Sequence, residues 1–198
     1  MKLLIKYTLL LFTTSVLLNA VEISEVGLNI GISSSSYIQE NKVGTLTLSN
    51  EPDEDFTNIA LYSTLSDKSI SENIRADIEL NYATNSEFKH QYYLIGINYY
   101  HNIDSYLLYG GLVLGYGQLS WHYDPLSRSK NIDEKTNSFI SGVQVGIKYN
   151  VSERYVLNFI GRYLSHNYKT LLTPDDTLES VVKHDSSTSF LFGIGYCF

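Results

Sequence analysis

Ser165-His166-Asn167 sets a hydroxyl, an imidazole and an amide side by side. A serine hydroxyl becomes a nucleophile when a neighbouring base takes its proton and an acid orients that base. The sequence offers no acid that can be assigned to the second task, so the tripeptide does not specify hydrolysis. The other histidines, His90, His101, His122 and His184, fall on expected loops and turns and show no i,i+2 or i,i+4 pairing. Cys197 is the one cysteine, which excludes an internal disulfide and a cysteine-based zinc site. The expectation is a protein that is not an enzyme, with no catalytic, cofactor-binding or metal-ligating residue.

A second set of polar residues has a clearer order. Arg75, Asp77 and Glu79 alternate with Ile74, Ala76, Ile78, Leu80 and Tyr82. The apolar residues recur at two rather than 3.6, which fits a strand and not a helix. Gln144 and Lys148 stand in the same relation to Val143, Val145, Ile147 and Tyr149, and Asn158 and Arg162 to Leu157, Phe159 and Tyr163. These segments place Arg75, Asp77, Glu79, Gln144, Lys148, Asn158 and Arg162 on faces opposite to apolar ones.

Such faces need strands to carry them. Tyr occurs 17 times and Gly 13 times, against three Pro and one Met, a composition that favours β structure. Alternation predicts strands near Glu25–Ser35, Ile74–Tyr82, Gln91–Tyr100, Tyr106–Leu119, Phe139–Tyr149, Tyr155–Tyr163 and Ser189–Phe198. A further one is placed at Phe56–Leu65, where neither face is clearly polar. The connections alternate in length. His101–Ser105 and Asn150–Arg154 are tight and Ser66–Asn73 somewhat longer. Tyr37–Asp55, Trp121–Asn137 and Ser165–Ser187 are long, with a shorter one at Ala83–His90. Short turns at one end and long loops at the other are the mark of a transmembrane barrel. The fold expected is all-β: an eight-stranded antiparallel up-and-down transmembrane β-barrel. Tyr99, Tyr100, Tyr106, Tyr149 and Tyr155 would form one interfacial girdle, and Tyr82, Tyr116, Trp121 and Tyr163 the other.

The N-terminus agrees with that location. Lys2 and Lys6 precede an apolar stretch from Leu9 to Leu18, and Asn19-Ala20 end it. This is the order of a cleaved secretory signal peptide over residues 1–20, leaving residues 21–198 as one barrel domain. The formal charge of −7 becomes more negative once the two lysines are removed, so nucleic acid is not an expected partner.

Phe190, Phe192, Ile194, Tyr196 and Phe198 occupy every second position up to the last residue. This ending resembles the terminal-strand signal of the small bacterial outer-membrane β-barrel family, which includes the OmpA membrane domain, OmpX-like and opacity proteins. Tyr106-Leu107-Leu108-Tyr109-Gly110-Gly111-Leu112-Val113-Leu114-Gly115-Tyr116-Gly117 is similar to the fifth strand of such barrels. The resemblance implies the bacterial outer membrane with both termini periplasmic. It implies contact with outer-membrane lipid and lipopolysaccharide, and insertion by the barrel-assembly machinery. The Ser-His-Asn order of 165–167 does not match the His-x-Ser-Asn order of outer-membrane lipid A deacylases.

In a lumen just wide enough for side chains, charges must be paired, so the seven inward polar residues are expected to form a network that fills it. A structural or surface-interaction role follows. The alternative is a narrow-pore, porin-like transport protein, and a lipid-modifying enzyme is a distant third. Acidic runs at Glu51, Asp53, Glu54 and Asp55, and at Asp175, Asp176 and Glu179, offer an external ligand a place on the loops. If the terminal strand carries the insertion signal, deleting Phe198 lowers the amount of protein in the outer membrane and leaves periplasmic precursor. Fractionation with immunoblotting reads this, and unchanged assembly would remove the signal from Phe198.

Overall fold

A computed structural model describes residues 22–43, 46–50, 53–66, 71, 73–123, 130–175 and 178–198. The expected signal peptide lies outside these residues. The strands are β1 (Glu22–Val43), β2 (Leu46–Asn50), β3 (Asp53–Ser66), β4 (Ile74–Thr84), β5 (Phe88–Ile103), β6 (Tyr106–Tyr123), β7 (Lys130–Asn150), β8 (Tyr155–Asp175) and β9 (Leu178–Cys197). β2 is a short hairpin partner of the upper end of β1. The other eight pair antiparallel with their chain neighbours, and β1 closes the barrel on β9 from Glu25↔Cys197 to Lys42↔Glu179. Closure leaves the membrane-crossing strands without an edge, so their backbone amides and carbonyls are met inside the sheet.

Alternation sorts each strand into two faces. Leu28, Ile30, Ile32, Ile78, Leu80, Ile95, Ile97, Leu112, Leu114, Val143, Val145, Phe159 and Phe192 all point outward and are exposed. On the opposite face Asn29, Asp77, Glu79, Gln144, Lys148, Asn158 and Arg162 are buried. Apolar outside and polar inside is stable only where lipid is the outer solvent. Tyrosines bound this belt. Tyr82, Tyr93, Tyr116 and Tyr163 with Phe139 form the upper girdle, and Tyr99, Tyr106, Tyr149, Tyr155 and Tyr196 the lower one. Within them Tyr106 packs on Tyr149 at 5.0 Å and Tyr116 on Phe139 at 5.5 Å between ring centroids. Tyr100 and Trp121, expected in the girdles, are buried in the lumen instead. Both lie one position out of phase with the lipid-facing residues of their strands.

The long connections also differ from expectation. Tyr37–Asp55, Trp121–Asn137 and Ser165–Ser187 are mostly strand, because β1, β6, β7, β8 and β9 continue well beyond the upper girdle. Here the faces exchange character. Tyr37, Phe56, Phe88, Leu119, Trp121, Tyr168 and Val182 point inward and are buried, while Ser34, Lys89, Gln91, Asn167, Lys169 and Thr188 point outward. The upper barrel has an apolar core and a wet exterior, like a soluble protein. The opposite ends turn tightly, with Asp104 at φ 52° in the β5–β6 turn. Left-handed backbone of this kind suits Asp better than a β-branched residue.

The inversion makes orientation testable at one residue. Ile78 is 44% exposed on the lipid face of β4, between inward Asp77 and Glu79. Ile78→Arg is expected to destabilise the folded barrel by about 2–4 kcal/mol, the range for a cation near the bilayer midplane. Denaturant titration in lipid vesicles measures it. A label at 78 that reports water would remove the lipid from this face.

Candidate functional site

The polar lumen is built from residues that the alternation of the strands brings to one axis. Arg162 on β8 donates through Nη2 to Glu79 Oε1 on β4 at 2.5 Å, and through Nε and Nη2 to Gln144 Oε1 on β7 at 3.0 and 2.7 Å. Gln144 Nε2 donates to Asn98 Oδ1 at 2.9 Å, and Asn98 Nδ2 to Asp77 Oδ2 at 2.6 Å. Thr64 donates its hydroxyl to Asp77 Oδ1 at 2.7 Å. Lys148 Nζ then donates to Thr64 Oγ1 at 3.3 Å and to Glu25 Oε2 at 2.6 Å, and Tyr62 donates to the other Glu25 oxygen. The chain runs unbroken from Glu79 to Tyr62 and crosses the barrel.

Of the seven residues named from the sequence, Asp77, Glu79, Gln144, Lys148 and Arg162 are in this chain. Asn158 stands beside it, accepting from Tyr109 at 3.0 Å and donating to Asn29 at 3.3 Å. Arg75 is half-buried at the lower mouth, over the Tyr100 ring at 4.8 Å. Glu25, Tyr62, Thr64 and Asn98 were not named, and Glu25 carries one of the two buried ion pairs found among the described residues. Its position was readable, since it shares the parity of inward Gly27 and Asn29, but it sits at the strand end. Small residues make room for the larger ones. A Cβ on Gly146 would run into the Tyr109 ring, which lies across the lumen against Tyr100 at 5.0 Å.

Above the girdle the lumen holds a second cluster. His90 on β5, His166 on β8 and His184 on β9 are buried and mutually close, with ring centroids 4.8 Å apart for 166–184, 5.8 Å for 90–166 and 6.5 Å for 90–184. They are therefore strand residues, and His90 and His184 are not the scattered loop histidines expected. Tyr37, Phe56, Phe88, Tyr92, Trp121 and Tyr168 pack around them. Burial pushes all three imidazoles toward the neutral form, His184 down to about 3, and His90 and His184 also feel the charge that neighbouring histidines would carry. Burial likewise raises the Tyr37 and Tyr168 phenols, which stay protonated.

Ser165 points outward and His166 inward, so the two do not form a nucleophile–base pair on one face. Ser35 does meet His184 Nε2 at 2.6 Å, but both are sealed inside the cap and the other ring nitrogen has no partner. Among the described residues no group of three or more His, Cys, Asp or Glu is arranged to hold a metal ion. Of the acidic runs, Glu51, Asp176 and the side chains of Asp53, Asp175 and Glu179 lie outside the described residues.

Breaking a buried pair leaves a charge without a partner, a loss of about 3–5 kcal/mol. Arg162→Met is expected to destabilise the barrel by that amount through the stranded Glu79, and Glu79→Gln with Arg162→Met by less than the sum of the single changes. A double-mutant cycle on denaturant midpoints measures the coupling. Additive effects would show that the pair does not act as one.

No protein-family model and no curated protein matches this sequence. Solved structures do. Neisserial surface protein A aligns with a TM-score of 0.53 at 15% identity, over 86% of this chain and 97% of that one. The outer-membrane protein AlkL, solved in lipid bilayers, aligns with a TM-score of 0.52 at 15% identity, over 89% of this chain and 91% of that one. At such identity the likeness speaks for the backbone, and it joins the apolar belt, the girdles and the closed sheet in one conclusion: the chain has the fold of the small eight-stranded outer-membrane β-barrels.

Proposed function

We propose that this chain is a structural or surface-interaction protein of the bacterial outer membrane, with both termini in the periplasm and a lumen that does not conduct. The observation that carries the reading is that side chains fill the barrel at two successive levels. In the lipid zone the chain from Glu79 to Tyr62 spans it, with Lys148 and Arg162 1% and 3% exposed. Above the girdle the aromatic cap fills it again, with Trp121, Phe88, Tyr168 and His184 inaccessible. An ion crossing the barrel would have to part both ion pairs and then pass through an apolar plug.

What remains to meet the surroundings is the outside. The belt meets lipid, and the polar outer face just above it, with Lys89, Gln91, Asn167 and Lys169, stands at the level of lipopolysaccharide headgroups. The β1–β2, β6–β7 and β8–β9 hairpins rise farther and are where an external ligand would dock. The last strand, with Phe190, Phe192, Ile194, Tyr196 and Phe198 on its outer face, is what the barrel-assembly machinery would read.

Planar-bilayer recording of the refolded protein tests the reading. No unitary steps are expected from the wild type. Regular steps would instead favour a narrow pore, and a lipid A mass shift on overexpression would favour the enzyme reading.

A further inference from the structure

β7 and β8 pair from Asn150↔Val156 up to Ile140↔His166, and among the described residues no register pair joins them beyond that point. Above it β7 stays with β6 as far as Tyr123↔Lys130, and β8 with β9 as far as Asp175↔Leu178. Two tall hairpins thus part from the level of the upper girdle upward, where Phe139 lies just past the last pair. The described hydrogen bonds across the parting involve side chains: the Asn167 amide donates to Ser138 Oγ at 2.9 Å, and the Thr136 hydroxyl to the Lys169 carbonyl at 3.2 Å. His166 stands at the foot of this seam, and Tyr116, Asn137, Ser141 and Ser165 line it from outside.

Behind the seam lies the histidine cluster. Each ring is held at one nitrogen by an uncharged partner. His90 Nε2 meets the Tyr168 hydroxyl at 2.7 Å, His184 Nε2 meets Ser35 Oγ at 2.6 Å, and His166 Nδ1 donates to the His184 carbonyl at 2.8 Å. His166 Nε2 and His184 Nδ1 are buried without a partner. The rings of 166 and 184 stack at 14°. Around them β1 supplies Tyr37, β3 Phe56, β4 Ala83, β5 Phe88 and Tyr92, β6 Leu119 and Trp121, β7 Ile140, and β8 Tyr168. The phenols of Tyr37, Tyr92 and Tyr168 are the titratable groups among these. Exposed Asp185 on β9 is the charge that favours a proton on His166, Glu54 and Glu87 at the rim act on Tyr37, and Arg162 and Glu79 lie below Tyr92.

We propose that the part of the barrel above the girdle is an acid-opened cap: protons taken up by His90, His166 and His184 separate the β6–β7 hairpin from the β8–β9 hairpin along the seam and let water reach the three rings, while the lipid-embedded barrel stays closed. A proton on any of the three lands in an apolar box beside two other imidazoles, so the closed cap binds protons poorly. Once open, each ring is solvated and takes its proton at the ordinary value of about 6.5. Because the open state holds more protons, the histidines hold the cap shut fully above that pH. Their contribution fades as pH falls from there toward the lowered values of the closed state. Up to three protons enter per opening. The belt gives way separately, since the Lys148–Glu25 and Arg162–Glu79 pairs that hold it lie below the girdle.

Trp121, the chain's one tryptophan, reports the cap directly. It is inaccessible and packs on Tyr37 at 5.7 Å and on Phe88 at 5.4 Å, and Phe88 touches the His184 ring at 5.6 Å. Protein extracted folded into detergent is titrated from pH 8 to pH 4, following Trp121 emission and acrylamide quenching, with heat-modifiable gel migration at each pH. The expected result is a reversible red shift and a several-fold rise in quenching that begin near pH 6.5, while the folded band persists. His166→Gln and His184→Gln are each expected to move the midpoint to lower pH and make it shallower. Trp121 shielded down to pH 4 overturns the proposal, as does opening at the same pH and steepness in both variants. Loss of the folded band together with the fluorescence change also overturns it, because the whole barrel rather than the cap would then be responding. The wild-type titration stands alone if a variant fails to fold.

Discussion

Two cations meet three carboxylates in a space too narrow for water to solvate any of them. Lys148 with Glu25 and Arg162 with Glu79 are the ion pairs, and Asp77 is held by Thr64 and Asn98 between them. In an eight-stranded barrel the interior admits side chains and little else. The charges are therefore stable only as members of a chain in which each is hydrogen-bonded. That requirement fixes much of the rest. It brings β1, β3, β4, β5, β7 and β8 to one register, since a one-residue slip on any of them would turn its member of the chain into lipid. It also demands small residues opposite large ones, as Gly146 opposite Tyr109.

The same strands serve two solvents. Below the upper girdle their outer face is apolar and their inner face polar, and above it the assignment is reversed. β5 shows the change within one strand. Lys89 and Gln91 face outward into water and Phe88 and His90 inward, whereas Tyr93, Ile95 and Ile97 face lipid and Asn98 the polar lumen. Backbone alternation runs on without interruption, and only the chemistry at each parity changes. The place where it changes, at Tyr93, Tyr116, Phe139 and Tyr163, marks where the lipid ends. Hydrophobic burial holds the upper part together, and paired polar groups inside with lipid outside hold the lower part.

This inversion decides how far the fold was legible from residue order. The belt strands were legible because apolar residues at every second position, in a chain rich in tyrosine and glycine, suit a lipid-facing strand and few other elements. Arg75, Asp77 and Glu79 followed by parity alone. The cap was not legible, because a search for apolar-out strands reads its inward aromatics as breaks in the pattern. Segments such as Ser165–Ser187 then looked like loops, and Trp121 looked like a girdle residue. His184 was hidden by a further device. Inward residues of β9 are odd-numbered from Gly195 to Ser187 and even-numbered at His184 and Val182, because the register shifts at Asp185 on both sides of the strand. A bulge of this kind re-aims a side chain without leaving a mark in composition. No spacing rule applied to His90, His166 and His184 would have joined them, since only the closed barrel brings β5, β8 and β9 around one axis.

A barrel whose two halves are held by different forces has unequal tolerance to change. In the lower half the inward charges Glu25, Asp77, Glu79, Lys148 and Arg162 answer to partners across the lumen, and the outward residues to lipid, so both faces are constrained. In the upper half the outward face is constrained only by water. The tall hairpins can therefore vary outside while their inward aromatics keep the cap filled. The register shifts at Asp185 and between Trp121 and Tyr123 fall in this upper half, apart from the pairs that close the belt. Where β7 and β8 part above His166, each hairpin keeps its own backbone ladder and meets the other through buried side chains and hydrogen bonds made by Thr136 and Ser138. Strands built in this way can differ or move as pairs while the belt stays closed, because the β7–β8 ladder runs through the belt and ends only at Ile140↔His166, beside the girdle residue Phe139.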